Sequence, residues 1–238
     1  MVEYHRGIGG KYLKFKQFGK DNSMAQVILI LGKSGSGKST SMRNFAHDEL
    51  ALVNVNKKPL PFKGKFDSTL ESTHYENIEK SIFSTQKKVI VIDDAGYLIT
   101  NQFMMGHGEN KGNAVFELYN SLADNFYKLI KFCQEKVADD KTVYFVMHED
   151  KNDFGDIKPK TIGKLLDEKV CIEGLFTTVL RAECLNGEYI FHTKTDGSDV
   201  TKSPIGMFEK ETIPNDLKAV DAIIRDYYEL PQLKKGDK

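Results

Sequence analysis

Gly32-Lys33-Ser34-Gly35-Ser36-Gly37-Lys38-Ser39 is a glycine-rich loop of eight residues with a lysine and a hydroxyl at its end. It fills the pattern G-x-x-x-x-G-K-[ST], in which each residue type has a job. The glycines at 32, 35 and 37 open backbone angles closed to other residues, so a tight loop can turn its N–H groups onto an anion. Gly32, Lys33, Ser34, Gly35, Ser36, Gly37, Lys38, Ser39 and the following Thr40 are expected to wrap nucleotide phosphates. Lys38 is expected to reach the β- and γ-phosphates, and Ser39 to offer a neutral hydroxyl to Mg²⁺.

The flanks supply the context this loop requires. Val27-Ile28-Leu29-Ile30-Leu31 has the length and branching of a buried strand, and Thr40 to Ala46 reads as a helix whose start near Gly37 adds partial positive charge. Ala51 to Val55 predicts a second strand, and Pro59 and Pro61 leave 56–73 irregular. His74 to Ser84 predicts a helix with Ile78, Ile82 and Phe83 on one side.

Val89-Ile90-Val91-Ile92 then runs into Asp93-Asp94. An apolar strand that delivers a carboxylate at its C-terminal edge provides the acidic partner of a phosphate-bound magnesium ion, so Asp93 is assigned as a water-mediated metal ligand. Asp94 either orients the attacking water or serves as a hydrogen-bonding cap.

Ile99 to Asn113, with Met104, Met105, His107 and glycines at 106, 108 and 112, reads as a mobile loop beside the nucleotide. Ala114 to Lys136 reads as a long helix, since Val115, Leu118, Leu122, Phe126, Leu129, Ile130 and Cys133 recur at helical steps. Lys141 to Met147 predicts a strand ending in His148-Glu149-Asp150. His148 is the candidate to bond the γ-phosphate or the attacking water. A metal centre of these three neighbours is disfavoured, because successive residues on an extended segment point opposite ways.

Residues 151–169 are polar, with a short helix suggested by Ile162, Leu165 and Leu166. Asn186-Gly187 between 175–183 and 188–194 is a hairpin signal, and Asp216 to Leu230 forms a last amphipathic helix. The expectation is an α/β protein with a mainly parallel central sheet, flanking helices and antiparallel C-terminal edge strands.

Three parts are expected: a basic, aromatic arm over 1–24, one domain over 25–230 and a polar tail over 231–238. Thirty-four basic and 34 acidic residues cancel, so the overall field does not advertise nucleic acid, although a local basic patch can still bind it. Cys133, Cys171 and Cys184 lack C-x-x-C spacing and suit a reduced, cytoplasmic setting. No stretch approaches the roughly 20 apolar residues of a membrane span, so no membrane partner is expected. Arg6, Arg43, Arg181 and Arg225 are the whole arginine complement, which counts against the arginine-rich lid of a small-molecule or nucleotide kinase. Arg181 is the candidate to act on a neighbouring subunit's nucleotide, with Lys194 as a point-charge alternative.

The phosphate loop, Val91-Ile92-Asp93, the strand ending in His148, and Tyr189 to Phe208 together resemble the phage ATPases of the RecA-like P-loop class that accompany single-strand annealing and recombination. The resemblance implies a sheet ordered 5-1-4-3-2, ATP hydrolysis with Mg²⁺, and assembly into homo-oligomers. It also implies action on single-stranded DNA with annealing or single-strand-binding partners, in a host cytoplasm if the chain is phage-encoded. Lys38 and Ser39 would hold phosphate and magnesium, Asp93 would be the acidic partner, and His148 the polar sensor. ATP is favoured over GTP by the resemblance and by the lack of an N-K-x-D motif. One departure stands out. Such enzymes place a catalytic glutamate near the end of the second core strand, where this chain reads Asn54-Val55-Asn56. That leaves room for a nucleotide-switched interaction module with weak hydrolysis.

Overall fold

The computed structural model describes residues 24–108 and 112–233. Residues 1–23 of the expected arm and 234–238 of the expected tail lie outside them. The strands are β1 (Gln26–Gly32), β2 (Leu50–Asn54), β3 (Ser68–Leu70), β4 (Val89–Asp93), β5 (Thr142–Lys151), β6 (Ile157–Pro159), β7 (Thr178–Leu185), β8 (Glu188–His192) and β9 (Thr212–Pro214). The α-helices are α1 (Tyr75–Ser84), α2 (Gly96–Gly106), α3 (Asn113–Lys136) and α4 (Leu217–Tyr227).

One sheet runs β3-β2-β4-β5-β1-β7-β8-β9, with β6 paired to β5 off this path. β1, β2, β4, β5 and β7 are mutually parallel where they pair. Counted among themselves these five strands lie in the order 5-1-4-3-2. β1 and β4 read as unbroken apolar runs because both faces of the sheet are covered. Leu29, Leu31, Ile90, Ile92 and Phe145 face the layer of α1, α2 and α3. Ile28, Ile30, Val91 and Tyr144 face Met42, Phe45 and the apolar stripe Leu217, Val220 and Ile224 of α4. Each such side chain, fully buried, contributes about 1.5–3 kcal/mol of transfer free energy.

Several local expectations change. The segment after the loop is a short 3-10 helix, Ser39–Asn44, rather than an α-helix through Ala46. The span 56–73 contains β3, too short to carry an alternating pattern. Most of the expected mobile loop is α2, because Leu98 and Ile99 are buried and Phe103 packs on the core, while the glycines cluster at its C-terminal end. Phe83 lies at 36% exposure, unlike its expected partners Ile78 and Ile82. β7 extends the parallel sheet from β1, and the antiparallel edge consists of β8 and β9. The β7–β8 turn sits where expected, with Asn186 at φ 52° and Gly187 at φ 85°.

The returning segment after β8 covers the free edge of β7: Val179 and Lys202 exchange both backbone hydrogen bonds, at 2.8 and 3.0 Å. The 195–208 stretch therefore includes an edge cover, and Lys194 stays exposed.

Arg225 fastens α4 to the sheet. Fully buried, it donates from Nε to Asp221 Oδ2 at 2.6 Å and from its other nitrogens to the carbonyls of Lys88, Asp140 and Pro231. Asp221 Oδ1 also accepts from Thr142 Oγ1 at 2.6 Å and Tyr144 OH at 2.8 Å. A buried charge pair is tolerable when its remaining hydrogen-bonding sites are met in this way. No helix among the described residues is long and apolar enough to cross a membrane.

Candidate functional site

β1 delivers its last residue, Gly32, level with His148 of β5, and Leu31 level with Arg181 of β7. The loop that follows turns back through Gly35 at φ 78° and Gly37 at φ 89°, angles that strain any side chain. A Cβ on Gly32 would collide with Ser36 Oγ and the Ala182 carbonyl. Ser36 Oγ is itself buried without a hydrogen-bond partner among the described residues. Lys33, Ser34 and Gly35 form the exposed crest of the loop, and Thr40 is half-buried behind it, its carbonyl accepting from Arg43.

Lys38 lies at the centre, 6% exposed, its Nζ donating to Gly32 O at 2.8 Å and Lys33 O at 2.6 Å. Burial lowers the Lys38 ammonium to about 8, against the pull of Asp94, Asp93 and Glu149. Its charge is thus held inside the loop, hydrogen-bonded to two carbonyls and within reach of nearby carboxylates.

Ser39 Oγ donates to Asp93 Oδ1 at 2.9 Å. Burial pushes Asp93 up to about 6 and the adjacent Asp94 charge adds to this, while Ser39 and Lys38 oppose it. This pair suits magnesium: a hydroxyl and a carboxylate are the oxygen donors that ion prefers, and Ser39 would hold it directly and Asp93 through a water molecule. No group of three or more His, Cys, Asp or Glu among the described residues could hold a metal ion by itself. Phosphate oxygens would have to complete the shell.

Asp94 follows at φ 59°, a left-handed conformation uncommon for a residue other than glycine. Oδ2 accepts from Lys58 Nζ at 2.7 Å and Asn56 Nδ2 at 2.9 Å, and Oδ1 lies 3.5 Å from His148 Nε2. Burial alone would raise Asp94, but the bonds from His148, Lys58 and Asn56 outweigh it and hold the carboxyl well below its ordinary range. Tyr97 packs edge-on to His148 at 5.8 Å and lies under Lys58.

The structure thus brings Lys38, Ser39, Asp93, Asp94 and His148 to one sheet edge. Arg181 is held within its own chain, its Nε donating to Glu149 Oε2 at 2.9 Å and its Nη2 lying 3.3 Å from Glu183 Oε1. Arg43 donates to Asn215 O at 2.6 Å, and Arg225 is in the buried pair described above. All three arginines among the described residues are engaged inside the chain.

Asn56, Lys58 and Glu149 carried no role in the sequence reading. Asn56 had a signal, since the end of β2 is where a carboxylate was sought. Lys58 had none, because its approach to Asp94 depends on the turn held by Asn54 Oδ1 and Nδ2 on the Lys58 backbone.

The AAA domain family, AAA_24, matches residues 24–205. The phosphonates import ATP-binding protein PhnC of Fusobacterium nucleatum subsp. nucleatum is 28% identical over 119 residues, 50% of this chain and 45% of that protein. The chain spans under half the length of that curated relative. An ATPase from the type III secretion system of pathogenic bacteria is 14% identical, with a TM-score of 0.42 over 66% of this chain and 52% of that one. With its phosphate loop, acidic strand end and parallel sheet, the chain belongs to the AAA domain family.

Proposed function

We propose that this protein is a magnesium-dependent ATP hydrolase that couples its nucleotide state to self-assembly on single-stranded DNA. The observation that supports hydrolysis, beyond binding, is the convergence of Asp94 and His148 next to the Ser39–Asp93 pair and Lys38. Bound magnesium would supply charge neutralisation across the β- and γ-phosphates. Ser39 Oγ and Asp93 are the residues that would hold it. Lys38 would exchange the carbonyls of Gly32 and Lys33 for phosphate oxygens and stabilise charge on the phosphoryl group in transit. Asp94, kept ionised by its three partners, would accept a hydrogen bond from the attacking water, and His148 would help to orient it.

The coupling to single-stranded DNA rests on the resemblance of the phosphate loop, the β4 and β5 ends and Tyr189 to Phe208. ATP turnover by the purified protein, with and without single-stranded DNA, tests it, alongside the oligomeric state with and without ATP. Stimulated turnover and nucleotide-dependent assembly are expected. Turnover indifferent to DNA, from a protein that never changes its assembly state, would remove the coupling and leave the hydrolase.

One observation favours a switch-like variant of this reading: Asp94 is occupied by Asn56 and Lys58 on the same oxygen. Lys58→Ala separates the two. If Lys58 restrains Asp94, basal turnover rises several-fold; if Lys58 positions Asp94 for water, turnover falls. Steady-state phosphate release without DNA reads the difference directly.

A further inference from the structure

The sheet order gives the nucleotide site two distinct sides. β5 and β4, with His148, Asp93 and Asp94, lie on one side of β1, and β7 with β8 lies on the other. A triphosphate whose terminal phosphate meets those acidic and imidazole groups would carry its ribose and base away from them, and the β7–β8 hairpin is the part of the sheet on that other side. Tyr189 of β8 stands there. A Cβ on Gly37 would lie 2.6 Å from its Cδ1 and 3.1 Å from its Cγ, so the ring rests against the backbone of the phosphate loop. Tyr189 is nevertheless 44% exposed, so the ring retains surface open beside the loop.

The mounting is firm. Tyr189 O accepts from Asn215 N at 3.2 Å, Ile190 pairs with Pro214, and Arg43 of the short helix donates to Asn215 O at 2.6 Å. Asn215 is 1% exposed, and its Nδ2 has no hydrogen-bond partner among the described residues. An exposed aromatic side chain anchored against the backbone of the phosphate loop, on the side away from the acidic groups, has the chemistry of a base-stacking surface.

We propose that Tyr189 is the platform on which the nucleobase of the bound nucleotide stacks. This rests on reading residues 32–39 as the triphosphate cradle. Stacking is available to any base and stronger for the larger purine ring, so Tyr189 gives purine preference without separating adenine from guanine. It also gives Gly37 a second reason to lack a side chain, beyond its φ of 89°.

The test is calorimetric titration of the full chain, in Mg²⁺, with ATP, UTP and inorganic tripolyphosphate. Tyr189→Ala is expected to weaken ATP about tenfold, to flatten the preference for ATP over UTP, and to leave tripolyphosphate unchanged. Tyr189→Phe should match the wild type. Tyr189→Leu, which still fills the space against Gly37, should behave like Tyr189→Ala. If ATP affinity and the ATP-to-UTP ratio survive in Tyr189→Ala and Tyr189→Leu, the platform is refuted. Equal weakening of ATP and tripolyphosphate with an unchanged ATP-to-UTP ratio also overturns it, since the ring then only shapes the loop. Lys38→Ala should weaken ATP and tripolyphosphate together; indifference there would sink the cradle itself, separately from Tyr189.

Discussion

Lys38→Ala is expected to lower ATP turnover by a factor of at least about 100, the cost typical of removing one preorganised charge from a phosphoryl or oxyanion site. The physical reason lies in the present surroundings of Lys38. Its Nζ is buried with the carbonyls of Gly32 and Lys33 as its hydrogen-bond partners, and burial has already lowered its ammonium to about 8. The cost of desolvating that charge is met in folding, so phosphate oxygens need only replace two carbonyls. Substitution by alanine removes the charge without disturbing β1, whose apolar residues are packed independently of the loop. Binding should weaken along with turnover. Phosphate release and equilibrium binding, measured on the same preparation, check both; unchanged values would remove Lys38 from the site.

Asp93→Asn should move function and stability in opposite directions. Turnover is expected to fall by about 100-fold or more, because Asp93 is the buried carboxylate beside Ser39 and would help hold the metal. Folded stability of the nucleotide-free protein should rise at pH 7.5 by about 2–3 kcal/mol. Asp93 has a folded pKa of about 6 against an ordinary 3.8, so the folded state binds more protons than the unfolded state between those values. Stability therefore declines as pH climbs through that window, and above it the full cost is present, at about 1.4 kcal/mol per pKa unit. Asparagine keeps an oxygen for Ser39 and discards the charge. Urea unfolding of both proteins at pH 7.5 and near pH 3 reads the effect: the advantage of Asp93→Asn should be clear at the first and vanish at the second, below the ordinary 3.8. A variant less stable at pH 7.5, or equally advantaged at both, would contradict the electrostatic account.

Much of the frame is readable in one dimension. Apolar runs such as Val27 to Leu31 and Val89 to Ile92 must be buried on both faces, which already requires helices on both sides of a parallel sheet. The α3 stripe from Leu118 to Cys133 and the Asn186-Gly187 turn are local signals, and each sits where its periodicity or backbone requirement places it. Local signals fail where they are ambiguous. Met104, Met105 and the nearby glycines read as loop, yet Leu98, Ile99 and Phe103 bury against neighbours distant in sequence and draw the segment into α2.

The phosphate loop is a contiguous chemical device, with glycine-only angles, a lysine and a hydroxyl at fixed spacing, so neighbouring residues are enough to specify it. The same holds for Asp93 at the end of an apolar strand. Tertiary structure alone decided what surrounds them. Asn56, Lys58 and His148 meet at Asp94 from three segments, Arg181 turns to Glu149 within its own chain, and Tyr189 lies against Gly37 from the far side of β1. These juxtapositions follow from strand order and register, which are set by how buried faces pack across the whole sheet and leave no mark at any single position.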